Sequence, residues 1–449
     1  MTKNTTVFLI FFLLFTFACF AQNPIVLVNS DSIVGYKINE SPVRDFIGNV
    51  HLRQGNIDIY CNKATHFLEE NRAILVGAVR IIQDTLVLVS DYIEYDGNKS
   101  IANSSSKVEI KDPQNLLRAN YGTYNFKNKI ANFFESVYYE EKNAKLTAKK
   151  ADFDRVNNIV YAYQNVKLES DSLILSCDTL IYSKPLNTLS ALSNVETKAK
   201  YESLEILSGK MFIDRKNKFS KSYENPILML VDTVKIEEDT IGFRLDTLFL
   251  FADTLYSNSN DTTSILRFIH NVRLFKGELV TIGEYGELYR QDEWGYLVGS
   301  PYLWYDSTEL KGDSLYFLMR DKKISFVEFV GNSSILSPSN LDTLYVNRIQ
   351  CDTLKIYFQN NKIDHILGIG KALTNYFLRN EETGEIQLAN YISEKVVINF
   401  IDNEVDKVVW LGNVDGEVIP KIIFDKNLEK YYSLPKNFLI KKPTLHKKL

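Results

Sequence analysis

The chain has 449 residues, of which 45% are hydrophobic and 24% charged, and its formal net charge is -4. Because there is no basic excess, the composition argues against a nucleic-acid partner. After residue 21, no segment has the roughly 18 uncharged apolar residues that a membrane helix needs, so we expect a soluble or peripheral mature chain.

The chain begins with the layout of an export signal. Lys3 precedes the apolar run Val7–Phe20, and small residues surround the expected cleavage site after Ala21. Cys19 is the alternative, as a lipid-anchored cysteine, but the residues before it match poorly the small-residue sequence that precedes such anchors. We therefore expect an exported protein whose signal peptide is residues 1–21.

A valine returns at a constant interval through the first half of the mature chain. The positions are Val50, Val79, Val108, Val137, Val166 and Val195. Five equal intervals of 29 residues define a repeat, and such a period is typical of proteins built from stacked turns.

Within each repeat the apolar residues alternate as they do in strands. A second large side chain follows the valine by two residues, at Leu52, Ile81, Ile110, Tyr139 and Leu168. Another apolar pair comes seven and nine residues after the valine, and an aromatic column comes at sixteen, as at Tyr95. This period of two predicts three or four short strands per repeat, with one apolar face.

Turn-forming residues precede the valines and mark corners between strands. They are Gly48-Asn49, Gly77-Ala78, Gln164-Asn165 and Ser193-Asn194. Such residues adopt left-handed or Asx-turn conformations at low cost. A second mark, Asp-Thr/Ser-Leu, recurs at Asp84, Asp171, Asp178, Asp246, Asp253, Asp313, Asp342 and Asp352. Together these patterns predict an all-β, stacked-strand solenoid.

The period loosens after Val195 but does not stop. Corner sequences return at His270-Asn271, Gly331-Asn332 and Gly412-Asn413, separated by longer intervals. The predicted organisation is a signal peptide at 1–21, a regular solenoid at 22–200, insertion-bearing turns at 201–265, a second solenoid segment at 266–420 and a tail at 421–449. Insertions in solenoids usually leave as loops from one corner, so we expect the stack to continue.

The mature cysteines are Cys61, Cys177 and Cys351. Cys61 and Cys177 lie at the same repeat position, four repeats apart. If each repeat adds one strand spacing of about 4.8 Å, they are separated by roughly 19 Å, whereas a disulfide spans at most about 7 Å between Cα atoms. We therefore predict small core residues at one structural position, with no disulfide between these two.

The sequence carries no convincing catalytic or metal site. Asp91 and Asp178 share a repeat position, but at one strand spacing per repeat they lie about 14 Å apart, beyond the roughly 5 to 9.5 Å of a glycosidase pair. His51 and His66 have no cysteine or histidine at zinc-site spacing. No nucleophile elbow, phosphate loop or dinucleotide fingerprint occurs. We expect a protein that is not an enzyme and has no metal or cofactor.

Recurring motifs resemble one known family. Gly48-Asn49-Val50 and Gly412-Asn413-Val414 corners occur with Asp91–Tyr95 and Asp178–Tyr182 strands in an exported chain. This combination resembles the OstA-like (LptA-like) lipopolysaccharide-transport proteins, most clearly over residues 43–200. The chain is longer than the small bridge proteins of that family and lacks the C-terminal strand run of its outer-membrane member.

The resemblance implies a folded-sheet β-jellyroll in the periplasm, with outer-membrane association as an alternative. It implies that acyl chains of lipopolysaccharide lie in an apolar groove and that transport subunits join end to end by strand addition. The candidate groove residues are Val50, Leu52, Val79, Ile81, Val108, Ile110, Val137, Tyr139, Val166 and Leu168. From the residues themselves, a packed core and a structural or adhesive function stay open as the alternative.

Overall fold

The computed structural model describes residues 23–201, 203–235, 243–260, 263–305, 307–320, 323–339, 341, 345–359, 362–401, 404–424 and 442–444. These residues contain 32 strands and one short helix, α1 (Lys421–Phe424), so the all-β, stacked-strand prediction is confirmed. The predicted signal peptide, with Cys19 and Ala21, lies outside the described residues, as does most of the predicted tail.

The chain forms two compact units, Met1–Val166 and Lys167–Leu449, which we call the N-terminal and C-terminal units. The domain boundaries predicted near residues 200, 265 and 420 are not tested by this division into two units, and they stay predictions. The N-terminal unit contains β1 (Val26–Asn29), β2 (Ser32–Ile38), β3 (Ser41–Gln54), β4 (Ile57–Phe67), β5 (Arg72–Gln83), β6 (Leu86–Asp96), β7 (Ile101–Ser104), β8 (Val108–Lys111), β9 (Asn115–Ala119), β10 (Tyr121–Asn125), β11 (Ile130–Glu141) and β12 (Ala144–Asp154).

The unit boundary falls within β13 (Ile159–Ser170). The C-terminal unit continues with β14 (Leu173–Ser183), β15 (Thr188–Ala199), β16 (Leu204–Asp214), β17 (Phe219–Tyr223), β18 (Ile227–Lys235), β19 (Phe243–Phe251), β20 (Thr254–Ser259), β21 (Ser264–Lys276), β22 (Leu279–Tyr289) and β23 (Trp294–Val298). It ends with β24 (Tyr302–Tyr305), β25 (Thr308–Lys311), β26 (Ser314–Arg320), β27 (Lys323–Pro338), β28 (Val346–Gln359), β29 (Lys362–Arg379), β30 (Ile386–Ile401), β31 (Glu404–Leu411), β32 (Asp415–Pro420) and α1.

Most repeats of the N-terminal unit are built from two long antiparallel strands. In one such repeat β5 pairs with β6 over its whole length, from Arg72↔Asp96 to Gln83↔Leu86. The prediction of three or four short strands per repeat is wrong for these repeats, whereas the repeat around Val108 has the four short strands β7 to β10. Each repeat adds two strand spacings, about 9.6 Å, so the rise of about 4.8 Å per repeat was too small by a factor of two.

The predicted corners are confirmed by the backbone. Both residues of each pair have positive φ, for example 76° and 44° at Gly48-Asn49 and 63° and 52° at Ser193-Asn194. The strand register shifts at the same places, between Ile47 and Val50 and between Leu192 and Val195. Two left-handed residues form a bulge that bends the strand, so its two halves belong to two facing walls.

An asparagine at several corners is hydrogen-bonded to an acidic residue on the neighbouring strand. In the C-terminal unit the Nδ2 groups donate to carboxylates in the pairs Asn194–Asp178 (2.7 Å), Asn271–Asp253 (2.8 Å) and Asn332–Asp313 (2.9 Å). The recurring Asp-Thr/Ser-Leu sequence therefore supplies corner acceptors. These aspartates stabilise the left-handed turn by accepting from its side chain.

The corner at Gly331 gives a stability prediction. Gly331 has φ +78°, and a Cβ there would lie 2.4 Å from Oδ2 of Asp313, whereas Gly277 has φ +55° and no described atom within 4 Å of its Cβ position. We expect Gly277→Ala to cost about 1 kcal/mol from left-handed strain and Gly331→Ala about 2 to 3 kcal/mol, because the Asp313 carboxylate must also move. Urea unfolding of the two variants measures this difference, and equal losses would contradict it.

Strands at both ends of the described chain leave apolar side chains in solvent. In the N-terminal unit β1 and β2 both pair with β3, and all seven residues of β2 are exposed. The exposed large apolar side chains of β2 are Ile33, Val34, Tyr36 and Ile38. In the C-terminal unit β31 and β32 both pair with β30, and Leu411 and Val418 are exposed. Exposed edge strands are templates for further strand pairing.

Candidate functional site

The predicted groove residues all lie on the buried face of the strands. None of the ten is more than 5% exposed. One cross-strand row contains, in order, Leu52, Ile59, Ile81, Leu88, Ile110, Leu117, Tyr139 and Leu146. The repeat valines from Val50 to Val137 belong to the same wall, and Val166 and Leu168 are buried on β13. The structure thus brings four of the predicted residues into one continuous row.

Large aromatic side chains occupy the interior of the N-terminal unit. Tyr95 and Tyr124 are fully buried, and Tyr139 is 2% exposed. The rings of Tyr124 and Phe126 meet edge-on with centroids 4.7 Å apart, and Tyr139 lies 4.9 Å from Phe153. The Tyr95 hydroxyl donates across the interior to Oε1 of Gln54 at 2.5 Å. An acyl chain would have to displace these rings, so lipid contact at the ten residues stays a prediction.

The C-terminal unit encloses an apolar cavity of about 450 Å³. One wall of the cavity is a cross-strand row of β18, β19, β21, β22 and β24. It consists of Leu228, Leu250, Leu274, Thr281 and Leu303, each paired with the next. Leu228 and Leu250 are nearly fully buried, at 1% and 3% exposure.

The facing wall is formed by the other halves of the bent strands. Its row is Leu266, Leu288, Gly295, Phe317 and Val327. At Gly295 a Cβ would lie 2.5 Å from Cζ of Phe317, and at Gly286 it would lie 2.7 Å from Cδ2 of Leu297. Strand β21 contributes Leu266 and Phe268 before its corner and Val272 and Leu274 after it, so one bent strand lines both walls.

Polar and charged side chains lie at the strand tips around this cavity. Lys276 ends β21, and Arg290 and Glu293 flank the turn between β22 and β23. The lining also includes the hydroxyl-bearing side chains of Tyr201, Ser203, Thr281 and Tyr296. The three charged side chains are partly buried. The cavity therefore combines an apolar interior with a charged mouth, which is the general form of a small-ligand site.

None of the ten predicted groove residues lines this cavity. Part of its lining comes from residues 201–265, where the sequence predicted insertion-bearing turns. That region contains β16 to β20 and supplies Leu228, Leu230, Leu248 and Leu250. Their spacing of two was a signal for strands lining one face, although they do not follow the 29-residue period.

The three cysteines among the described residues occupy one structural position, as predicted. Cys61, Cys177 and Cys351 are buried and free, and each Sγ donates at 3.2 Å to the carbonyl oxygen two residues later. Burial raises the pKa of Cys61 and of Cys351 to about 11 and that of Cys177 to about 12. All three are small core residues beside corners.

The cysteine environments predict low thiol reactivity. Thiolate is the reactive form, and at about pH 8 a thiol with so high a pKa is almost entirely protonated. We expect a disulfide-exchange reagent to label none of the three in the folded mature chain and all three in concentrated guanidinium chloride. Rapid labelling of any one without denaturant would contradict the burial described for it.

The histidines and aspartates considered as catalytic or metal-binding residues take structural positions, although Nε2 of His66 is buried without a hydrogen-bond partner. His66 is 8% exposed in the aromatic column, where burial and then Arg44 lower its pKa. His51 lies 2.7 Å from Asp58, and Asp178 accepts the corner hydrogen bond from Asn194. Within the part of the chain that the structure describes, no group of three or more His, Cys, Asp and Glu side chains is placed to hold a metal ion.

Residues 22–178 match the family model described as OstA-like protein. No curated protein matches the chain at a significant level. Among the described residues, no helix is both long enough and apolar enough to cross a membrane.

Proposed function

This chain belongs to the OstA-like proteins through residues 22–178, and we propose that it carries lipopolysaccharide or a related glycolipid with acyl chains in the cavity of the C-terminal unit. The family is a transport-type, non-enzymatic one, associated in general with the transport of lipopolysaccharide or other lipids. It is also related to transport in the periplasm. Our proposal goes further than this general family function, because it names lipopolysaccharide as the lipid that this chain carries.

The observation that carries the proposal is the apolar cavity of about 450 Å³ between the walls of the C-terminal unit. Its volume falls in the range of small-ligand sites, about 300 to 1,000 Å³. Each methylene group moved from water into such a site contributes about 0.8 kcal/mol. Rows of leucine on one wall and of leucine, phenylalanine and valine on the other supply contacts for an alkyl chain.

The alternative is a structural or adhesive exported protein with a packed core. The filled aromatic interior of the N-terminal unit, including Tyr95 and Tyr124, favours this alternative for that unit. In our proposal the N-terminal unit has a structural function and the C-terminal unit binds the lipid. Lipid bound in the C-terminal cavity would support lipid transport, and a cavity that binds no lipid would support the structural or adhesive function.

The proposal includes a location and partners. The mature chain acts in the periplasm or at the outer membrane after cleavage near Ala21, and it joins other transport subunits end to end by strand addition. The exposed strands β2 and β32 support this mode of assembly, because edge strands recruit a further strand through backbone hydrogen bonds.

Photo-crosslinking in living cells tests the proposal. A photoreactive amino acid at Leu274, which lines the cavity, should capture lipopolysaccharide, and one at the adjacent exposed Arg273 should not. The pair Ile81 and Gln83 tests the predicted groove of the N-terminal unit in the same way. Equal capture at Leu274 and Arg273, or capture at neither, would overturn lipid carriage in the C-terminal unit.

A further inference from the structure

We propose that a packed layer formed by Leu310, Phe329 and Ile356 closes one end of the cavity in the C-terminal unit and so sets the length of alkyl chain that the cavity accepts. The inference rests on the proposed function, because it concerns the chain of a ligand that lies in that cavity. It adds a length preference to the site, whereas an apolar lining by itself discriminates little between alkyl chains.

The two walls of the cavity have the same length. Each of the two rows described above crosses five strands, from Leu228 to Leu303 on one wall and from Leu266 to Val327 on the other. Four spacings of about 4.8 Å between these strands give about 19 Å. An extended alkyl chain advances about 1.25 Å per carbon, since its C–C bonds are about 1.52 Å long. The rows therefore match a chain of about 15 carbons.

The next residue of each row is packed and lies outside the lining of the cavity. Leu303 pairs with Leu310, and Val327 pairs with Ile356. Directly paired residues of neighbouring strands share a face, so Leu310 and Ile356 also point to the interior. Leu310 is 3% exposed and Ile356 is 2% exposed, and neither belongs to the lining. The lining therefore ends at the same level on both walls.

Phe329 adds an aromatic ring to this level. It pairs with the lining residue Leu315, in a row parallel to that of Val327, and it is fully buried outside the lining. A Cβ added to Gly312 would lie 3.1 Å from Cβ of Phe329, so Phe329 packs closely against the chain two residues after Leu310. Both walls thus contribute large buried side chains to one level of the interior.

A second cavity, of about 670 Å³, follows the packed layer along the same two rows. Leu310 pairs with Ile335, and Ile356 pairs with Ile366. Both isoleucines line the second cavity, and among the described residues the two linings have no member in common. The layer is therefore a partition between two spaces, and a shorter side chain in it extends the first space toward the second.

Displacement of the neutral fluorescent probe N-phenylnaphthylamine by straight-chain fatty acids of about 8 to 20 carbons tests the inference. For the wild type, the affinity should rise about fourfold per carbon, because each added methylene leaves water, and the rise should stop near about 15 carbons. In Leu310→Ala the rise should continue for about four further carbons, the length of one strand spacing. The affinity of the variant divided by that of the wild type is compared at each chain length, because this ratio does not depend on the solubility of the fatty acid.

Three further variants make the test specific. Ile356→Ala shortens the layer from the other wall and should extend the limit as Leu310→Ala does, so the test does not depend on one variant that has to fold. Val327→Phe places a larger side chain one level before the layer and should lower the limit by about four carbons. Leu180→Ala is the matched control, because Leu180 is fully buried on β14 outside both linings, and it should keep the wild-type limit.

The outcomes distinguish the two proposals. If neither the probe nor any fatty acid binds the wild-type chain, the proposed function fails and this inference fails with it. If fatty acids bind but the wild-type affinity rises equally up to about 20 carbons, the proposed function stands and the length limit is overturned. The same conclusion holds if folded Leu310→Ala and Ile356→Ala keep the wild-type limit, or if Leu180→Ala shifts it as far as they do.

Discussion

Leu250→Asp is expected to reduce the affinity of the chain for the neutral fluorescent apolar probe N-phenylnaphthylamine by more than about 100-fold. Leu250 is 3% exposed and lies between Leu228 and Leu274 in the row that lines the cavity. The new carboxyl group is strongly hydrated and holds water in the cavity. A bound alkyl chain would either leave a carboxylate charge unpaired in an apolar site or force its protonation, and either change costs several kcal/mol. About 2.7 kcal/mol already corresponds to a factor of 100.

Three further variants make this result specific. Leu250→Asn carries a neutral amide of the same shape and should weaken binding less. Leu274→Trp places a large side chain in the cavity and should reduce binding by filling space, without adding a charge. Arg273→Asp introduces the same carboxylate on the neighbouring strand at an exposed position outside the cavity lining, and it should bind the probe as the wild type does.

The measurement is fluorescence titration, with circular dichroism to verify that each variant keeps its strand content. If Leu250→Asp unfolds, Leu274→Trp still tests the cavity, because it adds volume without a buried charge. A folded Leu274→Trp or Leu250→Asp variant with unchanged affinity would show that the ligand lies elsewhere. Lipid carriage by this cavity would then be wrong.

The corners of the fold were predictable from the sequence because their physics is local. Gly48 and Asn49 adopt left-handed conformations that few other residues tolerate, so their recurrence ahead of a valine indicates a bend. The burial of Leu52, Ile81 and Ile110 follows from the same register, because side chains of a strand alternate between faces. These features depend only on residues close together in the chain.

The antiparallel pairing within each repeat was missed because a period does not specify strand direction. The sequence does contain the signal for an antiparallel hairpin between β5 and β6, because only Asp84 and Thr85 separate Gln83 from Leu86. Asp84 has a φ of +54°, as hairpin turns of two residues require. The sequence analysis interpreted Asp84 only as a recurring polar residue before an inward-facing leucine. It therefore assumed one strand spacing per repeat, whereas the structure has two.

The cavity was not predictable from the repeat because free volume depends on which side chains face each other across the interior. In the N-terminal unit the interior is filled by Tyr95 and Tyr124, whose rings both pack edge-on against Phe126. In the C-terminal unit the position equivalent to Tyr95, sixteen residues after the corner valine Val272, carries the smaller side chain of Leu288, which lines the cavity. Side chains that meet across the interior belong to residues far apart in the sequence. A close-packed region and an open cavity can therefore have the same alternation of apolar residues along each strand.

The second large effect is expected at the N-terminal edge, where Ile33→Pro should weaken end-to-end association of the mature chain at least about tenfold. β2 and β3 are joined by the turn Asn39-Glu40, in which both residues have positive φ. In such a two-residue hairpin the flanking pair Ile38↔Ser41 is hydrogen-bonded, and hydrogen-bonded pairs then alternate along the strands. The backbone groups of Val34 therefore bond to β3, and those of Ile33 point to the open edge.

Proline at position 33 removes the outward N–H donor and leaves the hydrogen bonds between β2 and β3 in place. Sedimentation velocity over a range of concentrations measures the effect, since end-to-end contacts of this kind form open chains of increasing length. Ile33→Val is the matched control, because it keeps both the N–H group and an exposed β-branched side chain. If Ile33→Pro and Ile33→Val associate equally, assembly does not use β2, and the partner proposal has to move to a different surface of the molecule.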